Sequence, residues 1–266
     1  MKKKFKILCL QTKSSKHPYK NIIMLEGLFK KLSTRVDLIC LPECVAVFSD
    51  EKKDINLFLK KFKDPFFNLI KQQAIKKKCC FQIGSVPEKY NQNKFVNRSY
   101  VIDENGNVDS FYDKINLFDV KLNDDEYYYE SKNYVSGKKT VISKLPIGRL
   151  GLSVCYDLRF PKLYKKLAKK GADFFSIPAA FTYTTGKAHW HTLVRARAIE
   201  NGCFVFASAQ NGMHDNGRKT FGHSMIVNPW GKVLAEAKSN DKFIISEINL
   251  DEVNLVRRRI PSMTNY

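Results

Sequence analysis

Short runs of apolar residues recur along the whole chain and predict β-strands. They are rich in β-branched, aromatic and aliphatic side chains, and turn-forming residues such as Gly, Pro, Asn and Asp stand near many of their ends. The predicted strands cover residues 5–11, 36–43, 78–86, 98–103, 148–157, 172–180, 203–210, 223–229, 232–237 and 242–250.

Between several of these runs the apolar residues recur with the spacing of a helix face. Helices are predicted over residues 19–34, 55–78 and 160–171, and the last of these has Pro161 in its first turn and Gly171 as its stop. Strands that alternate with helices indicate an α/β fold.

The pattern changes towards the C-terminus, where two predicted strands within 223–237 are joined by a Pro-Trp-Gly turn. This is the signal of a hairpin, so the sheet is expected to be mixed. The least regular part, residues 119–139, is acidic and then tyrosine-rich, and a long loop of this kind often carries function. Because the chain has no internal repeat and no low-complexity linker, residues 1–266 are expected to form a single domain.

Charge raises the question of a polyanionic partner. Lys and Arg number 46 against 26 Asp and Glu, for a formal net charge of +20. The lysines are scattered, however, and the short basic runs lack the interleaved aromatic residues of a nucleic-acid site. We therefore expect neither a specific nucleic-acid partner nor a membrane partner.

The seven cysteines are odd in number and form no CxxC pair, so neither a disulfide framework nor a zinc ribbon fits. The basic N-terminus is followed by too short an apolar stretch for a signal peptide, and no run of 18 apolar residues occurs. These features predict a cytoplasmic protein. In that setting the glycosylation-like "NRS" at Asn97 carries no weight.

Three chemically useful residues follow predicted strands. Cys155 closes an apolar run shortly before Pro161, where backbone N–H groups and the positive end of a helix stabilise a thiolate or an oxyanion. Glu43 follows an apolar run and a proline, where desolvation is expected to raise its pKa towards that of a working base. Lys114 follows a third candidate strand. A lone buried cysteine is usually structural, but a thiol, a base and a cation at three strand ends predict a hydrolytic centre.

The sequence motifs around these residues also resemble those of a known family. The segments "LPE", "YDKINLFD" and "GLSVCYDLRFP" resemble the Glu-Lys-Cys triad of the nitrilase, or carbon-nitrogen hydrolase, superfamily. The resemblance continues through "PAAFTYTTGKAHWHTLVRARAIENG", "GHSMIVNPWGKVLAE" and "RRRIP", and it is strongest to the Nit branch, whose members include deaminated-glutathione amidase and omega-amidase. It covers nearly the whole chain, although "ECVAVF", "VSGKK" and Asn228 depart from the commoner family wording.

The resemblance implies a fold and a set of roles. The fold is a four-layer αββα sandwich with mixed sheets. A homodimer or higher homo-oligomer is also implied, with the tail of about residues 250–266 at the dimer interface. Cys155 would be the nucleophile, Glu43 the base, and Lys114 with the backbone N–H of Tyr156 the oxyanion site. Glu130 matches the family's second glutamate and would orient Lys114 and water. No cofactor is implied.

The resemblance also implies substrate contacts at Arg159, Phe181 and Thr185. If a helix begins at Cys155, Arg159 lies one turn further on, where its guanidinium could bind a substrate carboxylate bidentately. The alternative is that Arg159 pairs with Asp157 or another protein acid.

A metal site is the other candidate suggested by the sequence, at "HWH". His189 and His191 are two apart on an expected helix, so they point to different faces, and no further ligand stands at a suitable spacing. We therefore expect no metal.

Together these features predict an amidase that hydrolyses a small carboxylate-bearing amide through a cysteine thioester and releases ammonia, with deaminated glutathione as the leading substrate type. The alternatives are an omega-amidase, a carbamoylase- or ureidopropionase-like hydrolase and, outside catalysis, a basic binding protein with a vestigial triad.

Overall fold

The computed structural model describes residues 4–124 and 126–262. Its strands, numbered in chain order, are β1 (Lys4–Thr12), β2 (Leu38–Cys40), β3 (Cys80–Lys89), β4 (Phe95–Ile102), β5 (Val108–Asp113), β6 (Asp119–Lys121), β7 (Tyr127–Tyr129), β8 (Ile142–Leu145), β9 (Gly148–Leu152), β10 (Phe174–Ser176), β11 (Phe204–Ala207), β12 (Ala209–Met213), β13 (Lys219–Phe221), β14 (Met225–Val227), β15 (Val233–Glu236) and β16 (Phe243–Asn249). Its helices are α1 (Pro18–Lys31), α2 (Lys52–Leu57), α3 (Lys63–Lys77), α4 (Pro161–Lys169), α5 (Tyr183–Asn201) and α6 (Asp251–Arg259).

Two mixed sheets form the framework. The first has the order β13-β12-β1-β2-β3-β4-β5, with β16 pairing antiparallel along most of β1. The second has the order β15-β14-β11-β10-β9-β8, in which β9, β10 and β11 run parallel while β14 and β15 form the expected antiparallel hairpin. The prediction of an α/β fold with mixed sheets is confirmed.

Alternation along β1 shows how the layers stack. Ile7 and Cys9 lie in the apolar core shared with the second sheet, whereas Leu8 and Leu10 lie in a separate core beneath α1 and α3. Successive side chains of a strand point to opposite faces, so a strand buried on both faces is apolar throughout. Helices α4 and α5 pack on the second sheet. The order of layers is therefore helix, sheet, sheet, helix, as the family resemblance implied.

Two predicted elements are divided in the structure. The helix predicted over 55–78 contains a π-helical stretch, Phe58–Phe62, between α2 and α3. Pro65 accounts for the widening, since its ring would clash with the carbonyl of Lys61 in a regular α-helix. The strand predicted over 203–210 crosses between sheets at Ser208, so that β11 belongs to the second sheet and β12 to the first.

The irregular segment 119–139 contains a small hairpin, β6 and β7, followed by a turn of 3-10 helix at Glu130–Lys132. Within the described residues, every helix is too short or too polar to cross a membrane. Residues 263–266 of the expected interface tail lie outside the described residues.

Candidate active site

Glu43, Lys114 and Cys155 meet at one end of the two sheets. Glu43 lies in the loop after β2 and Lys114 directly follows β5, so both come from the first sheet, whereas Cys155 follows β9 of the second. Lys114 Nζ lies 3.0 Å from Glu43 Oε1, and the Cys155 thiol lies close enough to the Glu43 carboxylate for each to shift the pKa of the other. All three side chains are buried and line one cavity.

The Glu43 carboxylate is held in its ionised form. Burial raises its pKa, but the Lys114 cation with its hydrogen bond, and the neighbouring Cys155 thiol, outweigh burial and lower the pKa from its ordinary value. The backbone N–H of Ala180 also donates to Oε2 at 2.8 Å. Desolvation acts in the expected direction, but the expectation that the pKa of Glu43 is raised overall is wrong, because an adjacent buried cation dominates. Glu43 can accept a proton without first having to lose one.

Lys114 remains a cation although it is almost completely buried. Burial lowers its pKa, but the carboxylates of Glu130 and Glu43 raise it well above the usual value. Nζ donates to Glu130 Oε2 at 2.8 Å as well as to Glu43. Glu130 is fixed in turn by the Phe118 N–H at 2.7 Å. Glu130 therefore lies where the family resemblance put it, at the Lys114 ammonium.

Asn97 completes this charged cluster and was missed from the sequence. Its Nδ2 donates both to Glu43 Oε1 and to Glu130 Oε1, each at 3.1 Å, and the residue is buried. Asn97 directly precedes the predicted strand 98–103, and nothing in its neighbours along the chain indicates a contact with Glu43 or Glu130. The amide keeps the two carboxylates in one fixed arrangement around Lys114.

Cys155 occupies a strained turn. Its φ is +47°, a left-handed conformation that is unusual for a residue with a side chain. The chain runs from β9 through a 3-10 turn, Cys155–Arg159, into α4, which begins at Pro161 as predicted. The Cys155 N–H donates to the Pro178 carbonyl at 2.8 Å. The thiol is therefore presented at a sharp turn between strand and helix.

The buried carboxylate of Asp157 stabilises this turn. It accepts hydrogen bonds from the Val154 N–H at 2.9 Å, from the Tyr112 hydroxyl at 2.7 Å and from the backbone and side-chain N–H groups of Asn116 at 2.9 and 2.7 Å. Asp157 is thus fully engaged within the protein core, and the alternative in which it pairs with Arg159 does not occur.

The Cys155 thiol is neutral in the resting site. Burial and the negative charge of Glu43 raise its pKa well above the ordinary value, in opposition to the Lys114 cation. The arrangement is a thiol beside an ionised base and not a preformed thiolate. Such a pair activates the nucleophile only as it attacks.

A cavity of about 260 Å³ opens onto the three side chains. Much of its wall comes from the 119–139 segment, including Tyr127, Tyr128 and Tyr129 of β7. The expectation that this segment carries function gains support from its position. Arg218, from the hairpin between β12 and β13, also lines the cavity and was not singled out from the sequence.

The three predicted substrate contacts, Arg159, Phe181 and Thr185, and the predicted oxyanion residue Tyr156 are not among the lining residues of this cavity. Arg159 belongs to the 3-10 turn and not to an α-helix; its Nη2 lies 3.3 Å from His189 Nδ1 and its guanidinium is over the Phe181 ring. Thr185 hydrogen-bonds to Thr182 at 2.7 Å, and the Tyr156 ring packs on Phe118 and Phe160. Their role towards substrate remains a prediction.

The two histidines of "HWH" point apart, as their spacing predicted. His189 approaches Arg159, whereas His191 Nε2 lies 2.9 Å from Glu236 Oε1, which His223 Nδ1 also approaches at 2.6 Å. His191, His223 and Glu236 could together hold a metal ion. Glu236 instead satisfies both rings by hydrogen bonding.

The fold and the Glu-Lys-Cys site define a hydrolase of the nitrilase type. The sequence matches the carbon-nitrogen hydrolase family over residues 20–258. It is 34% identical over 258 residues to deaminated glutathione amidase of Yersinia enterocolitica. The aligned region covers 96% of this chain and 90% of that protein. The deaminated glutathione amidase of Dictyostelium discoideum is 38% identical over 246 residues, and the aligned region covers 89% of this chain and 84% of that protein.

A solved structure agrees with these relatives. The NitFhit protein of C. elegans matches with a TM-score of 0.88 at 34% identity over 99% of this chain, which spans 65% of that chain. The chain belongs to the carbon-nitrogen hydrolase family, and it is a carbon-nitrogen hydrolase enzyme. The resemblance read from its motifs is confirmed.

Proposed function

We propose that this enzyme hydrolyses a small carboxylate-bearing amide through a thioester on Cys155. The observation that carries the proposal is the pairing of a neutral buried thiol with an ionised glutamate, with a lysine cation bonded to the same carboxylate. The proposed nucleophile, base and oxyanion-stabilising cation thus lie together in one buried cluster, as acyl transfer requires.

In the first half-reaction the Cys155 sulfur forms a bond to the amide carbon while its proton passes to Glu43. The carbonyl π electrons move to oxygen, and this oxyanion is stabilised by the Lys114 ammonium and the Tyr156 N–H. Glu43 then gives the proton to the amide nitrogen as the C–N bond breaks. A primary amide releases ammonia, a secondary amide releases an amine, and the acyl group stays on sulfur.

In the second half-reaction Glu43 takes a proton from water while the water oxygen attacks the thioester carbon. The C–S bond breaks, the sulfur regains a proton and the carboxylic acid leaves. Lys114 stabilises the oxyanion of this step as well. Glu130, through its contact with Lys114, fixes the direction of the ammonium in both halves.

The names of the relatives support the proposed class of substrate. Those named deaminated glutathione amidase support an amide that carries carboxylates. Arg159, Phe181 and Thr185 stay proposed as substrate contacts near the turn that bears Cys155. An omega-amidase or a carbamoylase-like hydrolase would use the same triad with another acyl group, whereas a basic binding protein would not need the ionised Glu43 beside a thiol.

The test is a panel of amides assayed for product amine or ammonia. It contains deaminated glutathione, α-keto and dicarboxylate monoamides and an N-carbamoyl amino acid, with a salt-titrated nucleic-acid binding assay beside it. We expect turnover of the carboxylate-bearing amides. Turnover of the carbamoyl compound alone would assign the carbamoylase activity, and salt-sensitive nucleic-acid binding without turnover would contradict the proposal.

We further infer a cytoplasmic homodimer built from one carbon-nitrogen hydrolase domain. All seven cysteines are free thiols, which suits a reducing compartment. Helix α6, in the proposed interface tail, exposes Leu255, and Ile260 directly after it is also exposed. Analytical ultracentrifugation should show a dimer, and Leu255→Glu should shift it towards monomer.

A further inference from the structure

Arg218 lines the cavity and forms no salt bridge with any acidic residue that the structure describes. Arg218 follows the turn that closes the β12–β13 hairpin, in which the His214 N–H donates to the Arg218 carbonyl at 2.9 Å. Among the described residues, no carboxylate oxygen lies within salt-bridge distance of its guanidinium, although Asp50 and Glu43 act on it electrostatically from further away.

Aromatic rings surround this guanidinium. Its carbon lies 4.8 Å from the centre of the Tyr128 ring, 5.6 Å from that of Phe48 and 5.8 Å from that of Phe118. Phe48 is itself backed by the stacked ring of His214 at 3.8 Å. These rings displace water from around the cation and strengthen its attraction for an anion.

The hydrogen-bonding groups of Arg218 are only partly used inside the protein. Nη2 donates to the Ala180 carbonyl at 2.6 Å. Nε is buried and has no acceptor among the described residues. A guanidinium offers five donors in one plane, so a residue held in this way retains capacity for an oxygen ligand.

We propose that Arg218 binds the carboxylate at the acyl end of the substrate and so determines specificity for amides of dicarboxylic acids. This deepens the proposed amidase function and rests on it. The carboxylate would lie among the Tyr128, Phe48 and Phe118 rings while the amide carbon lies at Cys155.

The other cations near the site are less suited to this role. The Lys114 ammonium is shared between Glu43 and Glu130, both at hydrogen-bond distance. Lys132 lines the cavity but is exposed, so water screens its charge. Arg159 stacks on Phe181 beside His189 and lies outside the cavity lining. Of the cations that line the cavity, Arg218 therefore combines shielding from water by aromatic rings with N–H groups that are not used within the described residues.

Arg218 also has a structural contact that the test must separate from recognition. The Ala180 carbonyl that it binds belongs to the residue whose N–H donates to Glu43. A purely positioning role through Ala180 would slow the hydrolysis of every amide to the same extent. A carboxylate-binding role would slow the hydrolysis of charged amides selectively.

The experiment compares succinamate with butanamide, which has the same number of carbons but no carboxylate. Arg218→Lys and Arg218→Gln are assayed with Lys132→Gln as the control for a lost cavity charge. We expect kcat/KM for succinamate to fall roughly 10- to 100-fold, the range of a lost charged hydrogen bond, while that for butanamide falls much less. Lys132→Gln should leave the ratio of the two substrates unchanged.

Equal losses for succinamate and butanamide would overturn the proposal. Arg218→Lys serves as the milder variant if circular dichroism shows that Arg218→Gln is unfolded. Calorimetric titration of succinate into Cys155→Ala protein, with and without Arg218→Lys, gives an answer that needs no turnover. Failure of the wild type to hydrolyse either amide would refute the proposed function. An affinity for succinate that is the same with and without Arg218→Lys would refute this inference alone.

Discussion

At the scale of single residues, the site depends on how four polar side chains share charge. Lys114 lies between two carboxylates, and Asn97 bonds to those same carboxylates. A cation next to Glu43 offsets the cost of burying it and leaves the carboxylate ionised. Glu43 is therefore in the ionised form that the proposed base requires, and the thiol of Cys155 beside it is neutral.

Asn97 gives the first prediction. Asn97→Asp places a third negative charge beside Glu43 and Glu130, which raises the pKa of Glu43 and reduces the fraction ionised at acidic pH. The acid limb of the kcat/KM profile should move to higher pH. Asn97→Ala, which removes the hydrogen bonds without adding charge, should lower kcat/KM about 5- to 100-fold, or roughly 1 to 3 kcal/mol. An unshifted acid limb in Asn97→Asp would show that Asn97 does not act on the base.

His214 gives a second prediction, on stability. Burial lowers its pKa to about 4, and its neutral ring donates to the Ser14 carbonyl and accepts from Thr220. The unfolded chain binds this proton near pH 6.5, so the contribution to the free energy of unfolding is complete above that pH. It is lost as the pH falls towards 4, by roughly 3 kcal/mol in all.

Urea unfolding between pH 7 and pH 4.5 measures this loss. His214→Gln retains a hydrogen-bonding side chain but cannot titrate, so its unfolding free energy should fall less steeply across the interval. Identical pH dependence in the two proteins would mean that His214 takes up its proton in the folded state as readily as in the unfolded state.

At the scale of elements, the apolar pattern predicted most strands because both faces of the central strands are buried. The pattern could not show that residues 203–210 cross from one sheet to the other, since each half is equally apolar. It also missed β6, β7, β8 and β13, which are three or four residues long and partly polar or exposed. The environment of Arg218 could not be predicted for a related reason. The aromatic rings around it are distant in sequence, so the spacing of residues along the chain does not indicate these contacts.

The loop that bears Glu43 depends on close packing against β3. A Cβ added to Gly84 would lie 2.0 Å from the Pro42 carbonyl oxygen and 2.2 Å from that of Leu41, so the backbone of the Glu43 loop would have to move. Gly84→Ala should therefore lower kcat and reduce stability by about 1 to 3 kcal/mol. Activity is measured with an amide substrate and stability by thermal unfolding.

Gly27 provides the matched control. It lies within α1, and no atom lies within 4 Å of the position of an added Cβ. Gly27→Ala should leave kcat unchanged and stabilise the helix by about 0.5 to 1 kcal/mol. If Gly84→Ala were as harmless as Gly27→Ala, the tight approach of β3 to the Glu43 loop would not be needed for the site.

At the scale of the whole molecule, the active site exists only because two sheets pack face to face. The first sheet supplies Glu43, Lys114 and Asn97, and the second supplies Cys155. The layered core thus fixes the distance between Glu43 and Cys155, the proposed base and nucleophile, while the 119–139 segment and the β12–β13 hairpin contribute to the cavity beside them. The same core can serve amides of different shape if these two segments change.

The central claim is that the acyl group passes through Cys155. The most direct test is intact-protein and peptide mass spectrometry after rapid acid quenching during turnover of succinamate. We expect the mass of a succinyl group on the peptide that contains Cys155, an adduct removed by hydroxylamine. The Cys155→Ala protein should remain folded but show neither adduct nor turnover. Turnover by Cys155→Ala near the wild-type rate, or an adduct on another residue, would contradict the account.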